Sequence, residues 1–332
     1  MCNIAPYLIF SNGQMQIANK KSSDILYRKA KSEKKERQIM TNDKTPLVDL
    51  HTHSTASDGS DSPSQLLKTA EEAGLAAVAL CDHDTVSGLE EFETAAATSS
   101  VEAIPGIEIS TQLFKKEVHI VGLFVNRNST ALLEPLQYLR QARLDRNRQV
   151  IERLRTAGFM ITEEDVAEFA AGESIGRPHI ARALVKKGYF EDIYGAFAKC
   201  LKRGTPFYVP RKYLSPEESI RLIHEAGGLA IWAHPMHERR GDRAFLRKFL
   251  KEMIPWGLDG LEGYYALFTE RQQAIAQAVA GELDLAISGG SDYHGVNQPS
   301  ISIGNGQGNL MIPCSVLDAL KQRLEKKRMT GC

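Results

Sequence analysis

His51 and His53 stand two residues apart at the end of the apolar run LVDL, a spacing that puts both side chains on one face of an extended segment. Alone they are weak evidence for a metal. They are joined by Asp58 in STASDG, by Asp82-His83-Asp84 at the end of AVALCDHD, by Glu108 in GIEIS, by His119 in EVHIVG, by His234 in AHP, and by Asp292 and His294 in SDYHG. Six of the nine histidines therefore occur with carboxylates at or beside the ends of strand-like runs. Were they ordinary core residues, each would need its own polar partner inside an apolar strand. A shared multinuclear metal site satisfies all of them at once.

Imidazole and carboxylate ligands without thiolate suit Zn, Mn or Fe and do not choose among them. The five cysteines lie at wide, irregular intervals with no CxxC, so neither a thiolate zinc site nor a disulfide framework is indicated, and a reduced, cytoplasmic setting is expected. A phosphate ester is one substrate on which a site of several divalent ions can act. Its negative charge repels water, and two or three divalent ions at a typical separation of ~3.5–4 Å both activate the water and clamp the phosphoryl oxygens. A serine or cysteine nucleophile has no recognisable elbow here, and Cys81 reads as a small buried residue. No GxGxxG or GxxxxGK run supports a dinucleotide site or a P-loop.

The elements that must position these groups follow a rhythm. LVDLHTH is a short strand, Ser62-Pro63 caps the helix QLLKTAEEAG, and LAAVALCDHD is the next strand; a helix around SGLEEFETAAATS, then AIPGIEIST and KEVHIVGLF, follow. This spacing predicts a parallel sheet whose strand ends share one mouth. Residues 130–213 change character, with helical stretches and no convincing strand, and read as a helical insertion over that mouth. The α/β pattern resumes with SPEESIRLIHEAGG, LAIWAHP, GLDGLEGYY, TERQQAIAQAVAGE and LAISGGSDYHG. The expectation is one catalytic barrel formed by residues 46–129 and 214–322. Residues 1–45, with the apolar patch PYLIF and a lysine-rich run, read as a leader, either a short solvent-facing helix or disordered.

Composition sets outer limits. With 41 basic and 41 acidic residues among 332 and 42% hydrophobic residues, the chain is an ordinary globular protein, not a disordered one and not a strongly basic nucleic-acid coat. No run approaches the roughly 18–20 apolar residues that cross a bilayer.

The strings DLHTHSTASDGSDSP, AVALCDHDT, PGIEIS, HIVGL, AHP and GSDYHG closely resemble the PHP (polymerase and histidinol phosphatase) superfamily. RLDRNRQVIERL, GRPHIARALV and RGTPFYVP are similar to its nucleotide-directed branch, which includes 3',5'-nucleoside bisphosphate phosphatases and a 5'-to-3' exoribonuclease of short RNAs. The resemblance spans about residues 46–318. It implies an α/β fold, a distorted (β/α)7 barrel, with an inserted all-helical subdomain. It also implies the ligand sets: His51, His53, Glu108 and Asp292 for one ion; Glu108, His119 and His234 for a second; Asp58, His83 and His294 for a third. Asp49 and Asp82 are expected to orient ligands or shape turns.

The implied function is a metal-dependent phosphoesterase that removes the 3'-phosphate from small 3',5'-bisphosphonucleotides, using two or three Mn, Fe or Zn ions. The alternatives are 5'-to-3' exonuclease action on short 5'-phosphorylated RNA and hydrolysis of another small phosphate such as histidinol phosphate. A non-catalytic scaffold is disfavoured because the ligand set is complete. His234, His294 and Asp292 form the expected catalytic set, with His234 or His294 assisting the leaving oxygen. Arg177, His179, Arg203 and Arg143 are the expected contacts to the phosphate not undergoing hydrolysis, since a guanidinium fork suits phosphate oxygens. Tyr208 and Tyr264-Tyr265 could stack on a base, Glu262 supports the site or the fold, His224 is an ordinary helix residue and His237 sits at the rim. The expected partner is a small phosphorylated nucleotide or short RNA, with no membrane and no stable duplex complex.

Overall fold

The computed structural model describes residues 8–11, 14–17, 46–169, 175–210, 212–237 and 242–330. Leu8–Ser11 (β1) and Gln14–Ile17 (β2) pair antiparallel as a hairpin of their own. The helical or disordered leader expected for residues 1–45 is thus a hairpin where it is described, and the lysine-rich run after it lies outside the described residues. Pro46–Cys332 form a separate compact unit.

In that unit, β3 (Val48–Thr52), β4 (Ala77–Leu80), β5 (Glu102–Leu113), β6 (Lys116–Leu123), β7 (Leu229–Trp232), β8 (Gly260–Tyr265) and β9 (Ala286–Gly290) form one sheet in sequence order. The sheet nearly closes. Asp292 N donates to His51 O at 2.9 Å and His53 N to Tyr293 O at 2.9 Å, which joins the last strand to the first. The seam requires Gly290, because a Cβ there would lie 2.3 Å from that of His51. The helices α1 (Pro63–Glu72) and α2 (Leu89–Ala96) connect the first strands; α7 (Pro216–Glu225), α8 (Arg243–Met253), α9 (Glu270–Glu282) and α10 (Cys314–Thr330) accompany the later ones. Sequence signals set their ends. Ser62 accepts from Gln65 N ahead of Pro63, and Ser215 and Thr269 form capping boxes with Glu218 and Gln272.

The sheet is not wholly parallel. The pairs β3/β4, β4/β5, β7/β8 and β8/β9 are parallel, whereas β6 runs antiparallel to both β5 and β7. The cause is the connection between β5 and β6: only Phe114 and Lys115 separate the paired residues Leu113 and Lys116. Both turn residues have positive φ, 49° and 62°, the twist a two-residue hairpin needs. A parallel neighbour would need a crossover of a dozen residues or more.

Side chains from the strand faces sort into two cores. Leu66, Phe92, Leu80, Ile109, Trp232 and Leu261 join sheet to outer helices, while Val48, Ala79, Ile104, Val121, Ile231 and Leu320 form a second cluster. Each fully buried Leu, Ile or Phe contributes about 1.5–3 kcal/mol. The insertion comprises α3 (Thr130–Thr156), α4 (Glu163–Ala167), α5 (Arg177–Lys186), α6 (Ile193–Ala196) and a π-helical turn over Phe197–Leu201. Its core includes Val150, Leu154, Ile180 and Leu184. Helix α3 serves both bodies, because Leu132, Leu136 and Leu139 in its first half pack into the barrel core.

Candidate metal centre

The register of β3 sets the first two histidines. Val48 pairs with Ala77 and Thr52 with Leu80, with an irregularity between them. Since Ala77 and Leu80 point to opposite faces of β4, so do Val48 and Thr52, and His51 and His53 return to the face of Val48. Asp82, just past β4, organises the loop that follows. It accepts from Ser54 N at 2.8 Å, Ser54 Oγ at 2.6 Å and Ser57 Oγ at 2.5 Å, which holds the approach to Asp58. Asp49 accepts from Ser291 N and Gly304 N across the barrel seam. Both carboxylates shape turns, as their positions in the sequence suggest.

Three groups of ligand atoms converge at the mouth. His53 Nε2 lies 3.0 Å from Asp292 Oδ1 and 3.1 Å from His51 Nε2; Glu108 Oε2 is 3.5 and 3.6 Å from these two imidazoles. The other oxygen of Glu108, Oε1, lies 2.8 Å from His119 Nδ1 and 3.0 Å from His234 Nε2. Asp58 meets His294 Nε2 at 3.2 Å and His83 Nε2 at 3.9 Å. Within the sets His53/Asp58/His83/His294, His51/His53/Asp292 and His83/Glu108/His119, ligand atoms fall within 4.8 Å of one another. Glu108 thus faces two groups with its two oxygens. His119 reaches this mouth from early in β6 and not from a strand end, because that strand runs backwards.

Three of the turns that aim these groups are strained. Asp84, His234 and Asp292 have positive φ of 54°, 33° and 58°, a region that non-glycine residues occupy at a cost of order 1–3 kcal/mol.

Electrostatics in this cluster is mutual. Burial works against the charge on Glu108, but His83, His119 and His51 outweigh it and hold the carboxyl well below its ordinary range. Asp292 and Asp58 are likewise held low despite burial, by His51 and by His83 respectively among others. Burial opposes protonation of His119 and His294, yet Glu108 and Asp58 raise each to about 10. His53 goes the other way, to about 3, through burial and the neighbouring His294.

The donor set fits divalent ions. His53 Nδ1, His83 Nδ1 and Glu108 Oε2 are buried without a hydrogen-bond partner, a condition that native interiors rarely tolerate. His83 Nδ1 and Glu108 Oε2 are 2.7 Å apart and still misdirected for a hydrogen bond, so neither satisfies the other.

A PHP domain model matches residues 49–205. A 5'-3' exoribonuclease of Haemophilus influenzae is 36% identical over 250 residues, 75% of this chain and 90% of that one. The chain belongs to the PHP family. A 3',5'-nucleoside bisphosphate phosphatase of Chromobacterium violaceum is 33% identical over 262 residues, 78% of this chain and 90% of that one. Among solved structures, a Bifidobacterium adolescentis protein assigned as a metal-dependent phosphoesterase superposes with a TM-score of 0.76 at 32% identity, covering 84% of this chain and 96% of that one. This PHP protein is a metal-dependent phosphoester hydrolase, and no helix among its described residues is long and apolar enough to cross a membrane.

The PHP centre is supported by Glu262, which the sequence offered as a support of the site or the fold, and by Tyr265 and Glu117, which it did not single out for that role. Glu262, on β8, puts Oε1 2.7 Å from His51 Nδ1 and accepts from His234 N with Oε2 at 2.5 Å. Tyr265 uses its hydroxyl, not its ring face: it donates to Asp292 Oδ2 at 2.9 Å. Glu117 lies 3.4 Å from His119 Nε2, two residues away on the same strand face. The period-two spacing of Glu117 and His119 was the available signal.

The expected phosphate contacts divide. Arg143, Arg146 and Arg177 line a recess of about 150 Å³ whose other wall includes Asp58, His83 and His119. Arg143 is buried and donates to Asp84, which also accepts from Ser110 N. Arg177 also borders a wider cleft of about 560 Å³ beside His119 and His234, walled by Phe197, Tyr208 and Trp232. His179 is buried and caps its own helix, Nδ1 accepting from Gly176 N at 2.8 Å; burial lowers its pKa. Arg203 is exposed and donates to Lys115 O at 2.8 Å, at the outer end of the cleft. His237 is at the rim, but His224 is no ordinary helix residue: its Nε2 lies 2.8 Å from Asp259 and 2.6 Å from Lys327 Nζ.

Proposed function

We propose that this PHP protein removes the 3'-phosphate from small nucleoside 3',5'-bisphosphates in the cytoplasm. The observation that carries this reading is the recess in which Arg143, Arg146 and Arg177 face Asp58, His83 and His119. A volume of about 150 Å³ suits a single phosphate group, and three guanidinium groups can bind one next to the reacting ester. The Chromobacterium violaceum relative supports the same substrate class.

In this reading His51, His53, Glu108 and Asp292 hold one Mn, Fe or Zn ion, Glu108, His119 and His234 a second, and Asp58, His83 and His294 a third. The ions supply Lewis acidity and an activated water. The protein does the rest. The three arginines fix the 5'-phosphate so that the 3'-ester is presented to the cluster. Tyr265 and Glu262 hold Asp292, His51 and the His234 backbone in place. Where His234 or His294 is not committed to an ion, it passes a proton to the leaving oxygen. Arg203 and His179 contribute through the cleft rim and the α5 cap.

Exonuclease action on short 5'-phosphorylated RNA is a second reading, favoured by the wider cleft. Its aromatic wall of Phe197, Tyr208 and Trp232, with Lys116, Lys202 and Arg203 alongside, suits a following nucleotide. Mn²⁺-reconstituted protein should be assayed with adenosine 3',5'-bisphosphate, a 5'-mononucleotide, histidinol phosphate and 5'-phosphorylated RNA of two to five nucleotides. The bisphosphate should be the best substrate, and Arg177→Ala should raise its KM at least about tenfold, one charge-assisted contact's worth. No metal-dependent turnover of the bisphosphate overturns the first reading, and turnover of RNA alone establishes the second.

A further inference from the structure

His119 is clasped between two carboxylates. Its Nδ1 lies 2.8 Å from Glu108 Oε1, on the side of the ligand cluster, and its Nε2 lies 3.4 Å from Glu117 Oε1, on the side of the cleft. An imidazole that ligates through Nδ1 must carry its proton on Nε2, and that proton needs an acceptor to fix the ring. Glu117 is placed to be that acceptor. Its other oxygen, Oε2, lies 3.8 Å from Arg177 Nη2, close enough for an ion pair and too far for a hydrogen bond. Arg177 is further held by Leu201 O at 3.2 Å, and its guanidinium stands 5.8 Å from the Tyr208 ring centre. Both the recess and the cleft count Glu117, His119 and Arg177 in their walls.

A carboxylate on the wall of a phosphate site is a cost in itself, since it repels the ligand. Its position explains the cost. We propose that Glu117 is a positioning residue that acts on two groups: it fixes the His119 ring for an ion, and it holds Arg177 as a stand-in for phosphate until phosphate displaces it. The loose 3.8 Å pair is what an exchangeable contact requires, and the exchange leaves the Glu117 contact to His119 in place. The Arg177 half rests on the reading of that arginine as a phosphate contact; the His119 half stands without it.

The two halves predict opposite shifts, which a merely structural residue would not produce. Glu117→Ala and Glu117→Gln are compared with the native chain by Mn²⁺ titration in phosphate-free buffer and by titration of inorganic phosphate into metal-free protein. Glu117→Ala should weaken Mn²⁺ about 10–100-fold, the range for removing a carboxylate behind a ligating histidine. Glu117→Gln keeps a neutral acceptor for the His119 proton and should stay within threefold of native. Phosphate should bind at least about threefold tighter in both variants, because Arg177 no longer has a competing anion. In an Arg177→Ala background, Glu117→Ala should give no such gain. Mn²⁺ affinity of Glu117→Ala within threefold of native overturns the proposal, and so does unchanged or weaker phosphate binding. Turnover plays no part in these titrations, so a failure to hydrolyse bisphosphates would overturn the functional reading and leave this one to be judged separately.

Discussion

Arg143 and Asp84 offer a direct test of how the proposed phosphate recess is built. Both are nearly inaccessible, with side-chain exposures of 8% and 4%, and Asp84 is further tied to Ser110 N at 2.8 Å. Arg143→Ala takes a cationic partner from a buried carboxylate, and Asp84→Ala takes an anionic partner from a buried guanidinium. Breaking a buried pair from one side costs about 3–5 kcal/mol. For a unit of this size about 2–4 °C of Tm accompanies each kcal/mol, so each single variant should melt roughly 6–20 °C below the native protein. The double variant removes both charges together and should recover most of that loss, since replacing a buried pair by apolar groups is often neutral. Phosphate affinity should separate from stability: Arg143→Ala and the double variant should both bind inorganic phosphate about tenfold more weakly, equally so although one is stable and the other is not. Differential scanning calorimetry on metal-free protein and phosphate titration provide the two readouts. A double variant as unstable as the sum of the singles would refute the pairing argument. Native-like phosphate affinity in Arg143→Ala would refute its place in the recess.

Three further outcomes are expected. Glu262→Gln should weaken Mn²⁺ about 10–100-fold, because one amide cannot serve both His51 and the His234 amide as the carboxylate does; chelator competition measures it, and affinity within twofold of native would count against the contact. Mn²⁺ uptake at pH 7 should release protons, since His119 and His294 are raised to about 10 and must be deprotonated to ligate; a titration in weak buffer that shows no acidification would contradict it. Asp259 is held below its ordinary range, burial being outweighed by His224 and Lys327. A depressed carboxylate contributes stability above its unfolded pKa near 3.9, which is lost as pH falls through the folded value. Asp259→Asn should therefore cost about 2–4 kcal/mol in urea unfolding at pH 7 and progressively less as the pH falls below about 3.9, and a cost independent of pH would be inconsistent with this.

Much of the metal centre is legible in the sequence because chemistry restricts it sharply. Histidine and carboxylate side chains at the mouths of apolar strands have few reasons to be there, and the structure gathers every one of the nine expected ligands into neighbouring groups. What was hidden depends on chain direction and on long-range pairing. The reversal of β6 turns on two ordinary-looking residues, Phe114 and Lys115, whose positive φ no glycine or asparagine announces. His224 sits in an amphipathic helix, and only the fold brings Asp259 and Lys327 to it from 35 and 103 residues away. The Arg203 guanidinium donates to the Lys115 carbonyl at the hairpin tip, a contact set by tertiary approach alone.

Helix α3 carries a mechanical consequence. Its 27 residues span roughly 40 Å, and its two ends are rooted in different cores, Leu132 and Leu136 in one, Val150 and Leu154 in the other. Arg143 and Arg146 lie on the stretch between these anchorages. A rod clamped at both ends does not swing, so the two guanidinium groups stand at a fixed height above the histidine and carboxylate cluster they share a recess with. Under the proposed function, selection among substrates would work like a ruler: what would matter is the span between the two phosphate groups of the molecule, and a ligand with the right charges at the wrong separation would satisfy only one end.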